Sequence, residues 1–207
     1  MPKTFRRFAF ILALACAAAG LAACDRSKTE YDADGNAVMP PAVEKIQEAA
    51  LRYAKEGAVN FNGTWANGYK EMIAAGKEAD PAQYKKRQAM LDIMRQQTRA
   101  RSIYILSPDD RNEGEFLVTL FSTKNEDGTL ADSHEAAALL DAWEGKAAAE
   151  LSAWDYEPRD PCWSAYAPIY DGEGVIVAVF GIDLPAPSIL SYPEWNRDHR
   201  RWNGASR

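Results

Sequence analysis

The chain has 207 residues, 47% hydrophobic and 26% charged, long enough for one domain with a substantial core. Its 30 acidic and 24 basic residues give a formal charge of −6. An acidic balance without Lys and Arg gathered on one face lacks the footprint of nucleic-acid binding, so nucleic acid is excluded as an expected partner.

At the N-terminus, Lys3, Arg6 and Arg7 precede an apolar run from Phe8 to Leu21 that passes into small residues and Cys24. A charged start, an apolar stretch below the roughly 20 residues of a spanning helix, and a small-residue exit form the layout of a secretion leader. Leu21-Ala22-Ala23-Cys24 resembles the bacterial lipobox, where the leader is cut before the Cys and lipid is attached to its sulfur and new amino terminus. The bland alternative is an ordinary signal peptide whose small residues happen to precede a cysteine. The resemblance implies lipidation at Cys24 and an anchored, non-spanning mature protein, each buried methylene contributing about 0.8 kcal/mol. Asp25 behind it points to retention at the inner membrane of the periplasm, with the outer membrane as the alternative. Loss of residues 1–23 removes three basic residues and no acidic one, taking the formal charge from −6 to −9. It also removes Cys16, so with Cys24 modified only the thiol of Cys162 is left and no internal disulfide is expected. Beside Trp163, Cys162 reads as a small buried hydrophobe rather than a nucleophile.

Residues 24–40, rich in Asp, Ser, Gly and Pro, read as a flexible tether. From Pro41 to about Lys55, Val43, Ile46, Ala50, Leu51 and Tyr53 recur near the helical period, and Pro41 suits a first turn. Asn60 to Gly68 is expected to break the helix, through Asn62-Gly63-Thr64 and Asn67-Gly68. A short helix is expected over Tyr69 to Lys77. Asp80 caps a second long helix, Pro81 to Gln97, packed through Tyr84, Met90, Leu91 and Met94. Beyond Arg99 the pattern becomes extended: Ser102–Leu106 and Glu115–Phe121 read as adjacent strands around Ser107-Pro108-Asp109-Asp110. Asp132 with Glu135 forms a capping box opening a helix to about Glu144. Ala147 to Pro161 carries no assignable pattern. Trp163–Tyr170 and Val175–Leu184 read as a hairpin over Asp171-Gly172-Glu173-Gly174. The tail from residue 187 to 207 is polar, and its part from Ser188 reads as a loose helix.

Helices followed by mostly sequential strands give α+β with an antiparallel sheet. Arg101-Ser102-Ile103-Tyr104-Ile105-Leu106, the second strand, Trp163-Ser164-Ala165-Tyr166-Ala167-Pro168-Ile169-Tyr170-Asp171 and Gly181-Ile182-Asp183 together resemble the extracytoplasmic Cache domain, a PAS-like sensor module of bacterial chemoreceptors, histidine kinases and cyclases. The resemblance spans about residues 41–186. It implies a long N-terminal helix on a curved antiparallel sheet, with a small-molecule pocket on the opposite face. Family members usually continue through a second membrane helix, and no second apolar segment near 18 residues occurs here, so signalling is expected to pass through a membrane partner: a histidine kinase, chemoreceptor or cyclase. The Arg and Trp arrangement of amino-acid-binding members is not matched, since Arg159 and Trp163 stand at a different spacing. Amino acids are therefore not expected as ligands.

Strand alternation puts Val175, Val177, Val179, Gly181 and Asp183 on one face, so a carboxylate closes an apolar row. Asp183 either faces a pocket and accepts hydrogen bonds from a cationic or hydroxylated ligand, or sits at the strand end and caps backbone N–H groups. Asp171 is a turn residue whose family counterpart sometimes reaches ligand. Tyr104, Thr119, Trp163 and Tyr166 join an apolar body to a polar tip, the mixture of ligand pockets and equally of cores. These six residues are the candidate ligand set. His134 and His199, the only histidines, give no nucleophile, base and orienter with Cys162, so no catalytic residue is expected. No grouping suggests a metal or other cofactor, and Asp109-Asp110 and Asn125–Gly128 lack the full calcium-loop pattern. Asn62-Gly63-Thr64 is formally a glycosylation sequon, discounted beside a bacterial lipobox. The expected function is a membrane-anchored, small-molecule-sensing lipoprotein; the alternative is an interaction or assembly lipoprotein with the same fold and a filled pocket.

Overall fold

A computed structural model describes residues 29–75, 80–108, 116–122, 137–151 and 161–196. The leader, Cys24 and Asp25, Asp109-Asp110, Asn125–Gly128, the Asp132 and Glu135 capping box, both histidines and Arg159 lie outside the described residues. Residues 39–190 form one compact unit, and the described residues on either side belong to a second. In that second unit Tyr31 and Ala37 form an antiparallel bridge over a turn. Asp32 Oδ1 accepts there from the N–H groups of Asp34, at 3.0 Å, and Asn36, at 2.8 Å.

The main unit opens with helix α1, Pro41–Val59, one turn longer than the periodicity predicts. The turn expected at Asn62-Gly63 is present, with Gly63 at φ 68°, but the break ends there, five residues before Gly68, and the next helix starts at Thr64 rather than Tyr69. The expected turn at Asn67-Gly68 is overturned: both lie inside helix α2, Thr64–Ala75. Tertiary contacts outweigh local turn chemistry there, because the Tyr69 hydroxyl bonds to Thr119, fifty residues on, and the Arg87 guanidinium lies 4.9 Å over the Trp65 ring. Helix α3, Pro81–Thr98, begins as predicted, Asp80 Oδ1 accepting from Gln83 N–H at 3.0 Å. Of its four expected packing residues, Leu91 alone is fully buried.

Among the described residues five strands follow: β1 Ser102–Pro108, β2 Phe116–Phe121, β3 Ala148–Leu151, β4 Cys162–Tyr170 and β5 Ile176–Pro185, with helix α4, Ala137–Trp143, between β2 and β3. They form one sheet in the order β2-β1-β5-β4-β3, every neighbouring pair antiparallel. The fold is thus α+β, a long N-terminal helix on an antiparallel sheet, as the sequence and the resemblance both predict. Edge strand β3 went unassigned because Ala148-Ala149-Glu150-Leu151 lacks the β-branched and aromatic residues that mark strands, and pairing to β4 supplies what propensity does not.

Alternation divides the sheet into two faces. Ile103, Ile105, Trp163, Ala165, Phe180 and Ile182, all at 0% exposure, lie on the face covered by α1. Here Gly57 permits close approach, since a Cβ on it would stand 2.4 Å from the tip of the Phe180 ring. The opposite face carries Tyr104, Leu106, Tyr166 and Val179, which pack against Ala138, Leu139 and Ala142 of α4. Burying one large apolar side chain contributes about 1.5–3 kcal/mol, so two such layers account for a stable unit.

Candidate functional site

Asp183 lies on the α4 face, within β5 rather than at its end. In register it faces Ser102 of β1 on one side and Ser164 of β4 on the other. Ser102 Oγ donates to Asp183 Oδ2 at 2.5 Å, and Ser164 Oγ donates to Oδ1 at 2.7 Å. Tyr104 Oη donates to the same Oδ1 at 3.0 Å. Every partner is a hydroxyl, so the expectation that Asp183 caps backbone N–H groups is corrected: its neighbours across the sheet supply side-chain donors before any backbone amide is reached. The Tyr166 hydroxyl joins the cluster through Tyr104 and Ser164.

Tyr104 reaches Asp183 by lying across Gly181, the residue paired to both Tyr104 and Tyr166. A Cβ at Gly181 would meet the Tyr104 ring at 2.2 Å. Glycine is therefore the residue that lets the phenol cross the strand. The two tyrosine rings are 6.5 Å apart in edge contact.

Ser102, Tyr104, Ser164, Tyr166 and Asp183 are all at most 2% exposed. Burial pushes the Asp183 carboxyl above the usual carboxylate range, while its bonds to Ser102, Ser164 and Tyr104 and the charge of Arg101 pull the other way. Burial, then the Asp183 charge, raises both phenols, so Tyr104 and Tyr166 stay protonated donors at neutral pH. At the same end of the sheet, Arg101 Nη1 donates to the buried Cys162 Sγ at 3.1 Å. On the α4 side, Glu150 Oε2 accepts from Ala138 N–H at 3.3 Å and ties the helix to β3.

Of the six candidate ligand residues, the structure brings together Tyr104, Tyr166 and Asp183. Trp163 lies on the α1 face, one residue out of phase with Ser164. Thr119 occupies the bulge where β2 shifts register against β1, and its hydroxyl bonds to Tyr69 of α2 and donates to Ile105 O at 3.1 Å. That shift of phase carries Thr119 away from the Asp183 cluster. Asp171 holds its own turn, Oδ1 accepting from Glu173 and Val175 N–H at 2.9 Å each. Ser102 and Ser164 escaped the sequence reading, although alternation alone placed Ser164 on the face of Tyr166; the missing information was the register bringing both serines opposite Asp183. Among the described residues, no group of three or more His, Cys, Asp and Glu is placed to hold a metal ion. None of their helices is long and apolar enough to cross a membrane.

No family model matches the chain, and no curated protein matches it. Several solved structures are similar at low identity. The sensory domain of the Campylobacter jejuni chemoreceptor Tlp3 (CcmL) is 14% identical with a TM-score of 0.40, over 70% of this chain and 55% of that one. The periplasmic domain of RsbU from Chlamydia trachomatis is 12% identical with a TM-score of 0.39, over 73% and 54%. The ligand-binding domain of Tlp3 in complex with L-norvaline is 15% identical with a TM-score of 0.35, over 72% and 63%. This chain spans a little over half the length of the first two, and no residue role passes from them to it.

Proposed function

We propose that this chain is an exported, lipid-anchored sensor that binds a small molecule on the sheet face bearing Asp183 and passes its state to a membrane partner. The observation that carries the reading is a wholly buried carboxylate bonded to hydroxyls of Ser102, Tyr104 and Ser164, with no hydrogen-bonded cation among the described residues. A buried ionised group gains from a counter-charge or further donors, so a cationic or hydroxylated guest has something to recognise there. Such a guest takes the space of α4, which is held on the sheet by Ala138, Leu139 and Ala142, by the Trp143 ring edge-on to Phe116 and by the Glu150 bond. Two positions of α4 with unequal ligand affinity make a sensor. Cys24 supplies the lipid anchor on the periplasmic side of the inner membrane, and a histidine kinase, chemoreceptor or cyclase supplies the route across it.

The test is a thermal-shift screen of the mature chain against metabolites. A ligand at 100 times its Kd adds about 2.7 kcal/mol of stability. Expected is at least one stabilising compound whose effect Asp183→Asn abolishes. A second reading, an interaction or assembly lipoprotein, is favoured by the Tyr104 and Tyr166 rings, which with Leu106, Leu139 and Val179 fill the layer beneath α4. A screen with no stabilising compound selects that reading.

A further inference from the structure

β3 begins at Ala148, opposite Tyr166, while β4 runs on to Tyr170. The outer edge of β4 beyond Tyr166 therefore has no strand beside it among the described residues. A groove of about 410 Å³ opens at this place. One wall is the last turn of α1, with Lys55, Ala58 and Val59, and the other is the connection Gly145–Ala147. Ala167, Pro168 and Tyr170 form the floor, and Asn62 closes one end, its Oδ1 accepting from Tyr170 N–H at 2.9 Å.

Two features of this groove bear on what it can hold. Its only charged lining residues are Lys55 and Lys146, in a chain whose formal charge is −6. Its lining is otherwise largely apolar, and Val59 stands 67% exposed at its rim. Lys146 Nζ is 3.2 Å from Asp141 Oδ2, but both side chains are largely in water at 77% and 43% exposure. Such a pair is weak and leaves the ammonium with further donors. A volume in the range of small-ligand sites, an apolar floor and cations on both walls match an amphiphilic anion. Lysines act as point charges and do not require the flat two-pronged geometry that arginine imposes.

We propose that this groove binds a small organic monocarboxylate with a hydrophobic body, its carboxylate between Lys55 and Lys146 and its body on Ala167, Pro168 and Tyr170. The site is separate from the Asp183 cluster, none of whose residues line it, and stands or falls independently of it. The test is titration of the isotope-labelled mature chain with octanoate, followed by amide chemical shifts, with octanol and octylamine as neutral and cationic counterparts. Saturable shifts confined to the groove are expected for octanoate, with the two counterparts at least tenfold weaker. Lys55→Gln and Lys146→Gln, both at exposed positions, are each expected to weaken octanoate about three- to tenfold while the amide spectrum keeps its folded dispersion. Equal binding of all three compounds overturns the carboxylate assignment, and so does octanoate binding unmoved by either lysine variant. Absence of saturable shifts in the groove overturns the site itself. Shifts centred on Tyr104, Tyr166 and Asp183 instead overturn it in favour of the Asp183 cluster.

Discussion

Tyr104 crosses Gly181 to reach Asp183 two residues further along the neighbouring strand, and its ring occupies the volume that a Cβ at 181 would need. Gly181→Ala is expected to destabilise the fold by about 1–3 kcal/mol, the range for overpacking a core. Chemical denaturation reads the loss. In the double variant with Tyr104→Ala, the penalty added by Gly181→Ala is expected to fall toward zero, since the clashing ring is gone.

The Asp183 carboxyl sets a pH dependence with a definite sign. Its folded pKa is raised, so the folded protein binds the proton more tightly than the unfolded chain. Relative to Asp183→Asn, stability is therefore highest below the ordinary carboxylate value near 3.8 and falls as pH rises from there through the raised folded value. Urea denaturation of both proteins across that range checks it; a difference that grows with pH overturns it. Tyr104→Phe, which removes one donor to the carboxylate, is expected to raise the Asp183 pKa further, followed by the side-chain carbonyl resonance.

Thr119 and Asp183 belong to opposite faces, and their variants are expected to separate cleanly. Thr119→Val strips the buried Tyr69 hydroxyl of a partner and is expected to cost about 1–2 kcal/mol. It should leave the affinity of any ligand of the Asp183 face unchanged. A variant that loses affinity without losing stability would place Thr119 in the binding site after all.

For the N-terminal motif, Cys24→Ser is expected to move the protein from the membrane fraction to the soluble periplasmic fraction and to abolish incorporation of labelled palmitate. The acylated protein should stay with membranes in high salt, because the hold is apolar burial and not charge. Release of the unsubstituted protein by salt alone would count against a lipid anchor.

What the sequence made legible was set by how local each signal is. The hairpin of β4 and β5 could be read because its turn chemistry and alternation lie within some twenty consecutive residues. The face of Asp183 followed from period two alone. Its partners did not, because Ser102 stands 81 positions away and only strand register brings its hydroxyl there. Thr119 was misleading for a different reason: an apolar body with a polar tip says nothing of which face a residue takes, and its place in the bulge of β2 could not be read from residue type. Asn67-Gly68 looked like a turn because propensity is local, whereas the bond from Tyr69 to Thr119 that holds the helix spans fifty positions.

The notch at Gly57 also limits how α1 can move. With the Phe180 ring seated where a side chain would otherwise project, sliding the helix lengthwise drives Ala54, three residues back on the same face, onto the ring in one direction and Phe61, whose ring already lies 5.8 Å from it, in the other, so the rod must first lift away from the sheet. A tilt about that contact leaves the ring in its notch. The mechanical freedom left to α1 is that of a lever on a fulcrum, with Phe180 as the bearing.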